Sequence, residues 1–260
     1  MKIRFILTPW LAVPALIICH LLFPLLAPAE DTLPDVQTII DHVDRLYRSE
    51  SSYAEMEMTV VSEHWERTIS MNAWTEGLEK TFIDITSPKK DKGIATLRMD
   101  TEMWNYFPKI NKVMKVPPSM MMGSWMGSDF TNDDLVKESS LIRDYSYELY
   151  TPDDAEEGYY YVELKPKEET PSVWGRITIV VSKDTFLPVS ESYYDEKDRK
   201  MRHLIFSEVK DFGGRTIPSV LEMVSLNKEG HRTVIRYKEI EFDVPLDKDV
   251  FTLRNLRKRR

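Results

Sequence analysis

The chain has 260 residues, of which 42% are hydrophobic and 30% are charged, values typical of a globular protein rather than a disordered or fibrous one. Its 35 Lys and Arg residues against 43 Asp and Glu residues give a net charge of −8. That balance argues against broad nucleic-acid binding, because phosphate contacts require a basic surface. A single cysteine excludes an intramolecular disulfide framework and a cysteine-based zinc cluster.

The N-terminus has the pattern of a secretory signal peptide. Lys2 and Arg4 precede an apolar run, and Ala27-Pro28-Ala29 supplies the small residues that a cleavage site requires. We therefore expect cleavage after Ala29, export to the periplasm, and one mature domain over residues 30–260 with no cysteine. Two alternatives are an uncleaved membrane anchor, because the apolar run is long enough to span a bilayer, and lipid modification of Cys19.

The mature chain begins with one clear helix and continues with strands. Asp35 can cap a helix whose apolar stripe follows helical spacing and contains Val36, Ile39, Ile40, Val43, Leu46 and Tyr47. From Tyr53 to Phe242 the apolar period is mostly two, which predicts eleven or twelve short strands, one of them over residues 140–149. Because helices do not alternate with the strands, the pattern predicts a mainly β fold. The predicted architecture is one large curved antiparallel sheet, an open or half β-barrel, in which the long N-terminal helix and short helices cover an apolar cavity.

One interval, residues 119–135, breaks the strand pattern and is here named the Met loop. Thr131 or Asn132 can cap a short helix at its end. Methionine is flexible and polarizable, so a loop rich in it can adapt to ligands of varied shape. We predict that this loop and the strand before it form the lid and wall of the cavity. The candidate residues are Trp104, Tyr106, Phe107, Met120, Met121, Met122, Trp125, Met126 and Phe130.

Signatures of enzymes and of cofactor sites are absent from the sequence. There is no HExxH motif, phosphate loop or paired cysteine, and His42, His64, His203 and His231 lack the spacing of metal ligands. Residues 123–127 read G-S-x-x-G, which is not the G-x-S-x-G of a nucleophile elbow. We therefore predict a protein that is not an enzyme and uses no cofactor or metal.

Several motifs together resemble the outer-membrane lipoprotein-sorting protein family, whose members are LolA-like. They are Lys92-Gly93, residues 103–108 with the W-x-Y-x-P element that starts at Trp104, Lys112-Val113, and the run Met126-Gly127-Ser128-Asp129-Phe130-Thr131-Asn132-Asp133-Asp134-Leu135. The family-motif residues in this last run are Gly127, Ser128, Asp129, Phe130, Asp134 and Leu135. The resemblance implies an open β-barrel closed by helices around an acyl-chain cavity. It also implies a periplasmic location and, as a candidate partner, an RND-type transporter of the inner membrane.

The function predicted from these observations is that of a periplasmic carrier. It binds acyl chains of lipoproteins or other lipids and moves them towards the outer membrane, with transient membrane contact and no nucleic-acid partner. Two alternatives remain open: a periplasmic module that senses lipid or lipoprotein and signals through a partner, and a hydrolase acting on lipid or glycan. Five basic residues near the C-terminus are candidates for contact with anionic lipid: Arg254, Arg257, Lys258, Arg259 and Arg260.

Overall fold

A computed structural model describes residues 34–136, 141–170 and 172–257, except the side chains of residues 135 and 136. The helices are α1 (Val36–Arg45), α2 (Asn132–Val136), α3 (Leu141–Asp144) and α4 (Leu253–Leu256). The strands are β1 (Ser51–Val61), β2 (Glu66–Glu76), β3 (Lys80–Ser87), β4 (Ala95–Met99), β5 (Glu102–Phe107), β6 (Lys112–Lys115), β7 (Tyr145–Leu149), β8 (Tyr159–Pro166), β9 (Arg176–Ser182), β10 (Pro188–Tyr194), β11 (Lys200–Phe212), β12 (Arg215–Ser225) and β13 (Arg232–Phe242).

All thirteen strands form one antiparallel sheet, in the order β6-β5-β4-β3-β2-β1-β13-β12-β11-β10-β9-β8-β7. Every neighbouring pair except one consists of strands that are consecutive in sequence, as expected of antiparallel meanders joined by short turns. The exception is the pairing of β1 with β13, which joins the meander β1–β6 to the meander β7–β13. A bulge between Glu55 and Met56 interrupts this central pairing and bends the sheet there.

Helix α1 covers the β7–β10 side of one face of the sheet, here called the inner face. Asp35 caps the helix by accepting a hydrogen bond from the Gln37 amide at 3.3 Å. Ile39, Ile40 and Val43 are buried against a wall of strand residues that includes Tyr145, Val162, Leu164 and Ile179. Burying each of these helix side chains stabilises the fold by roughly 1.5–3 kcal/mol, so packing on the sheet holds this ten-residue helix in place.

The Met loop covers the β1–β5 side of the same inner face. Trp125 is buried among inward-facing residues of these strands, with Met121 and Met126 packed beside it; the strand residues of this cluster are Met58, Val60, Ile69, Met71, Ala73, Ile83, Ile85 and Met103. The helix and the loop therefore cover different halves of one face, and two separate apolar clusters form in place of one.

The C-terminal segment packs on the opposite, outer face. Phe251 and Leu256 are buried against Phe82, Leu97 and Tyr106. Because side chains alternate along a strand, Phe82 faces outwards while its neighbour Ile83 faces the inner cluster. The outer face of β3–β5 is thus covered by the chain's own end.

The predicted fold class is confirmed, since the structure is mainly β, with one curved antiparallel sheet and short helices on it. The described residues contain thirteen strands instead of the predicted eleven or twelve. The strand predicted over residues 140–149 begins at Tyr145, because Leu141–Asp144 form α3, whose first residue donates its amide to Asp44 of α1 at 3.0 Å. Residues 1–33, including the predicted cleavage site at Ala29, lie outside the described residues. Within the described ranges no helix has the length and apolarity needed to cross a membrane.

Candidate functional site: an apolar cavity with a polar stripe

A cavity of about 390 Å³ lies on the inner face between the two covers. It is centred on the β1–β13 pairing, where neither α1 nor the Met loop reaches across the sheet. Most of its walls are apolar side chains of the strands: Met56, Met71, Ala73, Ile83, Ile177, Leu204, Leu221, Met223 and Ile235. The volume is near the lower end of the ~300–1,000 Å³ of typical small-molecule pockets, which suits one hydrocarbon chain.

Two residues of the Met loop close the cavity on one side. Trp125 and Phe130 line it, and the Trp125 indole Nε1 donates to the Thr96 hydroxyl at 3.2 Å. Gly127 adopts a φ of +79°, and with Met126 at +53° it makes the sharp turn that places Ser128 and Asp129 under the loop. The Ser128 hydroxyl donates to the Trp125 carbonyl at 2.7 Å and so fixes this turn.

Asp129 and Asp134, both from the family motif, attach the Met loop to the β11–β13 part of the sheet. The buried Asp129 carboxylate accepts hydrogen bonds from the hydroxyls of Ser225 and Thr233, at 2.7 and 2.8 Å. The Asp134 carboxylate accepts two hydrogen bonds of 2.7 Å from Arg202 of β11, one from each guanidinium Nη. These contacts of the motif position the lid over the cavity.

Arg202 is a buried charged group at the site, with only 7% of its side chain exposed. Its guanidinium stacks over Tyr193 and Trp174, at 4.2 and 4.6 Å from their ring centroids. Burial by itself would raise the pKa of the Asp134 carboxyl, but the hydrogen bonds and charge of Arg202 outweigh burial and hold that pKa below its ordinary value. Burial by itself would lower the pKa of Arg202, and the same contacts with Asp134 raise it instead.

A polar stripe continues from this pair along the cavity. Its members that line the cavity are Arg48 after α1, Tyr193 on β10, Arg202 on β11 and Tyr237 on β13. Tyr47 and Glu191 do not line the cavity but contact Tyr237 and Tyr193. The Tyr47 hydroxyl donates to the Pro218 carbonyl at 2.7 Å, and its ring stacks on that of Tyr237 with centroids 5.6 Å apart. The Tyr193 hydroxyl donates to the Glu191 carboxylate. Burial raises the pKa of Glu191 and raises that of Tyr237 to about 12.

An open recess of about 960 Å³ lies beyond the end of α1, next to the cavity. It is lined by α1 and by two hairpin turns, at Gly77-Leu78 and at Gly214–Thr216. Arg48 contributes to both spaces, so its side chain stands between the cavity and the recess.

The structure separates the residues predicted for the cavity into three groups. Trp125 and Phe130 line it, and Met121 and Met126 pack against the core cluster beside it. Met120 and Met122 lie at the surface, 58% and 44% exposed. For Trp104 and Tyr106 the structure corrects the predicted position, because both side chains belong to the outer-face cluster; Phe107, at the end of β5, is half-buried and does not line the cavity.

The predicted membrane-surface residues are described only in part. Arg254 is exposed and pairs with Asp249 at 2.6 Å, and Arg257 is exposed just after α4. Lys258, Arg259 and Arg260 lie outside the described residues, as does the side chain of the family-motif residue Leu135. Contact of this basic tail with anionic lipid therefore stays a prediction.

The cavity residues that sequence reasoning missed are on the strands. Met56, Met71 and Met223 line the cavity, whereas the prediction placed the functional methionines in the Met loop. The available signal was the two-residue period that puts Met56 and Met71 on the inner face, but that period is equally typical of core residues. In the part of the chain that the structure describes, no group of three or more His, Cys, Asp or Glu side chains is arranged to hold a metal ion.

Comparison with known proteins relates the chain to one family and to several solved structures. A family model described as an uncharacterized protein matches residues 77–258, more than half of the chain. A search of curated proteins gives no match. Among solved structures that share the fold, a DUF1329 family protein from Desulfovibrio piger is 24% identical, with a TM-score of 0.75 over 84% of this chain and 96% of that one.

A second structure is a domain described as an outer membrane lipoprotein-sorting protein, from Vibrio parahaemolyticus. It is 19% identical, with a TM-score of 0.71 over 85% of this chain and 96% of that one. A third is a LolA superfamily protein from Nitrosomonas europaea, 18% identical, with a TM-score of 0.68 over 84% of this chain and 98% of that one. The chain therefore belongs to the uncharacterized-protein family of the matching model, and it has the LolA-like fold of outer-membrane lipoprotein-sorting proteins that its motifs predict.

Proposed function

We propose that this protein is a periplasmic carrier that shelters an acyl chain of a lipoprotein or another lipid in its inner-face cavity and moves it towards the outer membrane. The observation that carries the proposal is the apolar cavity left between α1 and the Met loop. Each buried methylene gains ~0.8 kcal/mol, so a chain of about twelve carbons gains up to ~10 kcal/mol on entering such a space. That is enough to hold a lipid and still allow its release.

Entry and release require the two covers to separate. The hydrogen bond from the Leu141 amide to Asp44 joins α3 to α1, and the Arg202–Asp134 pair joins α2 to the sheet. These contacts lie at the boundary of the cavity, so breaking them widens the space without unpairing any strand. A cargo with more than one acyl chain needs this opening, because the closed cavity suits only one.

The periplasmic location and the partner belong to the same proposal. The signal-peptide pattern of residues 1–29 supports export, and an RND-type transporter of the inner membrane is the proposed donor of cargo. Transient contact with the membrane would let the chain pass from bilayer to cavity without crossing water. We propose no catalytic step.

Filling the cavity tests the proposal. Ile235 lines the cavity, whereas its neighbour Val234 on β13 points to the other face of the sheet. We expect Ile235→Phe to weaken binding of a fluorescent acyl probe to the delipidated protein by at least about 10-fold, because the larger ring occupies the space of the chain.

Val234→Phe is the matched control and should leave probe affinity within about twofold, with thermal unfolding recorded for both variants. Equal affinity of Ile235→Phe and the unsubstituted protein would show that the probe binds elsewhere. Transfer of a labelled lipid between two vesicle populations then separates a carrier from a protein that only binds lipid.

A further inference from the structure

The polar stripe is not needed to shelter hydrocarbon, and it is costly to bury. Polar groups in an apolar cavity stabilise a structure only when they are satisfied by partners or by a ligand. Its two guanidiniums already have carboxylate partners: both Nη atoms of Arg202 bind the Asp134 carboxylate at 2.7 Å, and Arg48 pairs with Asp44 at 3.4 Å. The buried Nε–H of Arg202 has no hydrogen-bond partner among the described residues. Each cation is therefore charge-balanced by a carboxylate, and what Arg202 has left is a single N–H donor instead of an unpaired charge.

The charge that remains at the stripe is acidic. Glu191 does not line the cavity itself, but it accepts a hydrogen bond from the hydroxyl of Tyr193, which does, so its field acts on the cavity at one residue's distance. No Lys, Arg or His nitrogen of the described residues lies within 4.0 Å of the Glu191 carboxylate. An anionic ligand placed here would be repelled by the carboxylates of Glu191, Asp134 and Asp44. The positive charge of Arg202 would offset little of this repulsion, because Arg202 is already paired with Asp134.

One neutral group of the stripe faces the cavity with hydrogen-bonding capacity to spare. Tyr237 lines the cavity, and among the described residues its hydroxyl has no hydrogen-bond partner. Because its ring is held by stacking on Tyr47, the hydroxyl is fixed in place and can both donate and accept. This group suits a hydroxyl, an ester or an amide.

We infer that the polar stripe binds the uncharged polar group of an amphiphile whose chain fills the apolar part of the cavity, and that it discriminates against ionised carboxylate and phosphate groups. Tyr237 supplies the hydrogen bond and Glu191 supplies the discrimination. The inference rests on the proposed function and goes further, because it assigns a chemical class to the ligand and a separate site to its polar group.

The experiment compares three twelve-carbon probes at pH 8: monododecanoylglycerol, dodecanoate and dodecyl phosphate. Each displaces a fluorescent acyl probe from the delipidated protein. We expect the neutral glyceride to bind at least about 10-fold more tightly than either anion. Glu191→Gln should narrow that gap by improving the affinity of the two anions, and Tyr237→Phe should weaken the glyceride by up to about 10-fold.

Tyr53→Phe is the matched control, because Tyr53 donates to Glu55 at 2.9 Å and does not line the cavity; it should change no affinity. Dodecanoate binding as tightly as the glyceride, with no response to Glu191→Gln, would overturn this inference while leaving the proposed carrier intact. Failure of all three probes to displace the fluorescent probe would overturn the proposed function and this inference with it.

Discussion

Arg202 shows how a single residue connects the cover of the cavity to its wall. Taking a guanidinium and a carboxylate out of water costs several kcal/mol per ion, and the cost is offset only by close geometry. The two 2.7 Å hydrogen bonds to Asp134 and the stacking on Tyr193 supply that geometry. The pair thus fixes where α2 sits, which an apolar contact of the same size would specify less sharply.

Breaking this pair should destabilise the protein. Asp134→Asn leaves the Arg202 charge buried without its counter-ion, so we expect the free energy of unfolding to fall by about 3–5 kcal/mol in urea denaturation. The double variant Asp134→Leu with Arg202→Met removes both charges and should recover most of that loss.

The matched control is Glu208→Gln, on the same strand as Arg202, which breaks the half-exposed pair of Glu208 with Arg236 of β13. It should cost less than about 1 kcal/mol, because exposed ion pairs are weak. A loss for Asp134→Asn no larger than that of the control would mean that the Met loop is held by its other contacts alone.

The elements differ in how far the sequence predicts them. Helix α1 could be predicted closely, because its cap at Asp35 and its apolar stripe are local signals. The antiparallel sheet could be predicted from the two-residue period. The outward direction of Trp104 and Tyr106 could not be predicted. A two-residue period separates the two faces of a strand, but it does not say which face a distant segment will cover. Here that segment is the C-terminal one, which contains Phe251 and Leu256.

Helix α4 belongs to the C-terminal segment that covers the outer face, and its contribution to stability can be tested by truncation. Leu256 is fully buried in the outer-face cluster, next to Tyr106 and Phe82. A chain ending at Leu253 loses that side chain, so we expect its free energy of unfolding to fall by about 2–5 kcal/mol in urea denaturation.

A chain ending at Arg257 keeps Leu256 and removes only Lys258, Arg259 and Arg260. Its stability should stay within about 0.5 kcal/mol of the full chain. The proposed contact of the basic tail with anionic vesicles should be tested with the chain that ends at Arg257. Weakened binding by the chain that ends at Leu253 would also follow from its unfolding. Equal stability of the two truncated chains would show that α4 adds nothing to the fold.

At the scale of the whole molecule, the cavity exists because α1 and the Met loop together cover only part of the inner face of the sheet. A ten-residue helix is ~15 Å long, whereas thirteen strands at ~4.8 Å spacing form a far wider surface. Helix α1 therefore covers the β7–β10 side, the Met loop covers the β1–β5 side, and the β1–β13 pairing between them stays open to a ligand. The sequence predicts a single long helix for a sheet of many strands, but the position of the gap depends on the central pairing of distant strands.

Two acids of the site make global stability depend on pH in opposite directions. Asp134 has a lowered pKa, so it stabilises the folded state at pH values above its ordinary pKa of 3.8. That stabilisation is lost as the pH falls from 3.8 through the lowered pKa of the folded state. Glu191 has a raised pKa because of its burial. The folded state therefore binds the Glu191 proton more tightly than the unfolded state does, and stability falls as the pH rises above the ordinary value of 4.5.

Glu191→Gln isolates the second effect, because an amide keeps the acceptor for the Tyr193 hydroxyl and cannot ionise. We expect this variant to match the unsubstituted protein near pH 4.5 and to be more stable than it at pH 8, with the difference growing between these values in urea denaturation. Glu196→Gln, in the exposed β10–β11 turn, is the control and should follow the unsubstituted protein at every pH. If Glu191→Gln were less stable than the unsubstituted protein at pH 8, the ionised Glu191 carboxylate would be stabilising the folded state, through its attraction to the Arg202 guanidinium, and this prediction would be wrong.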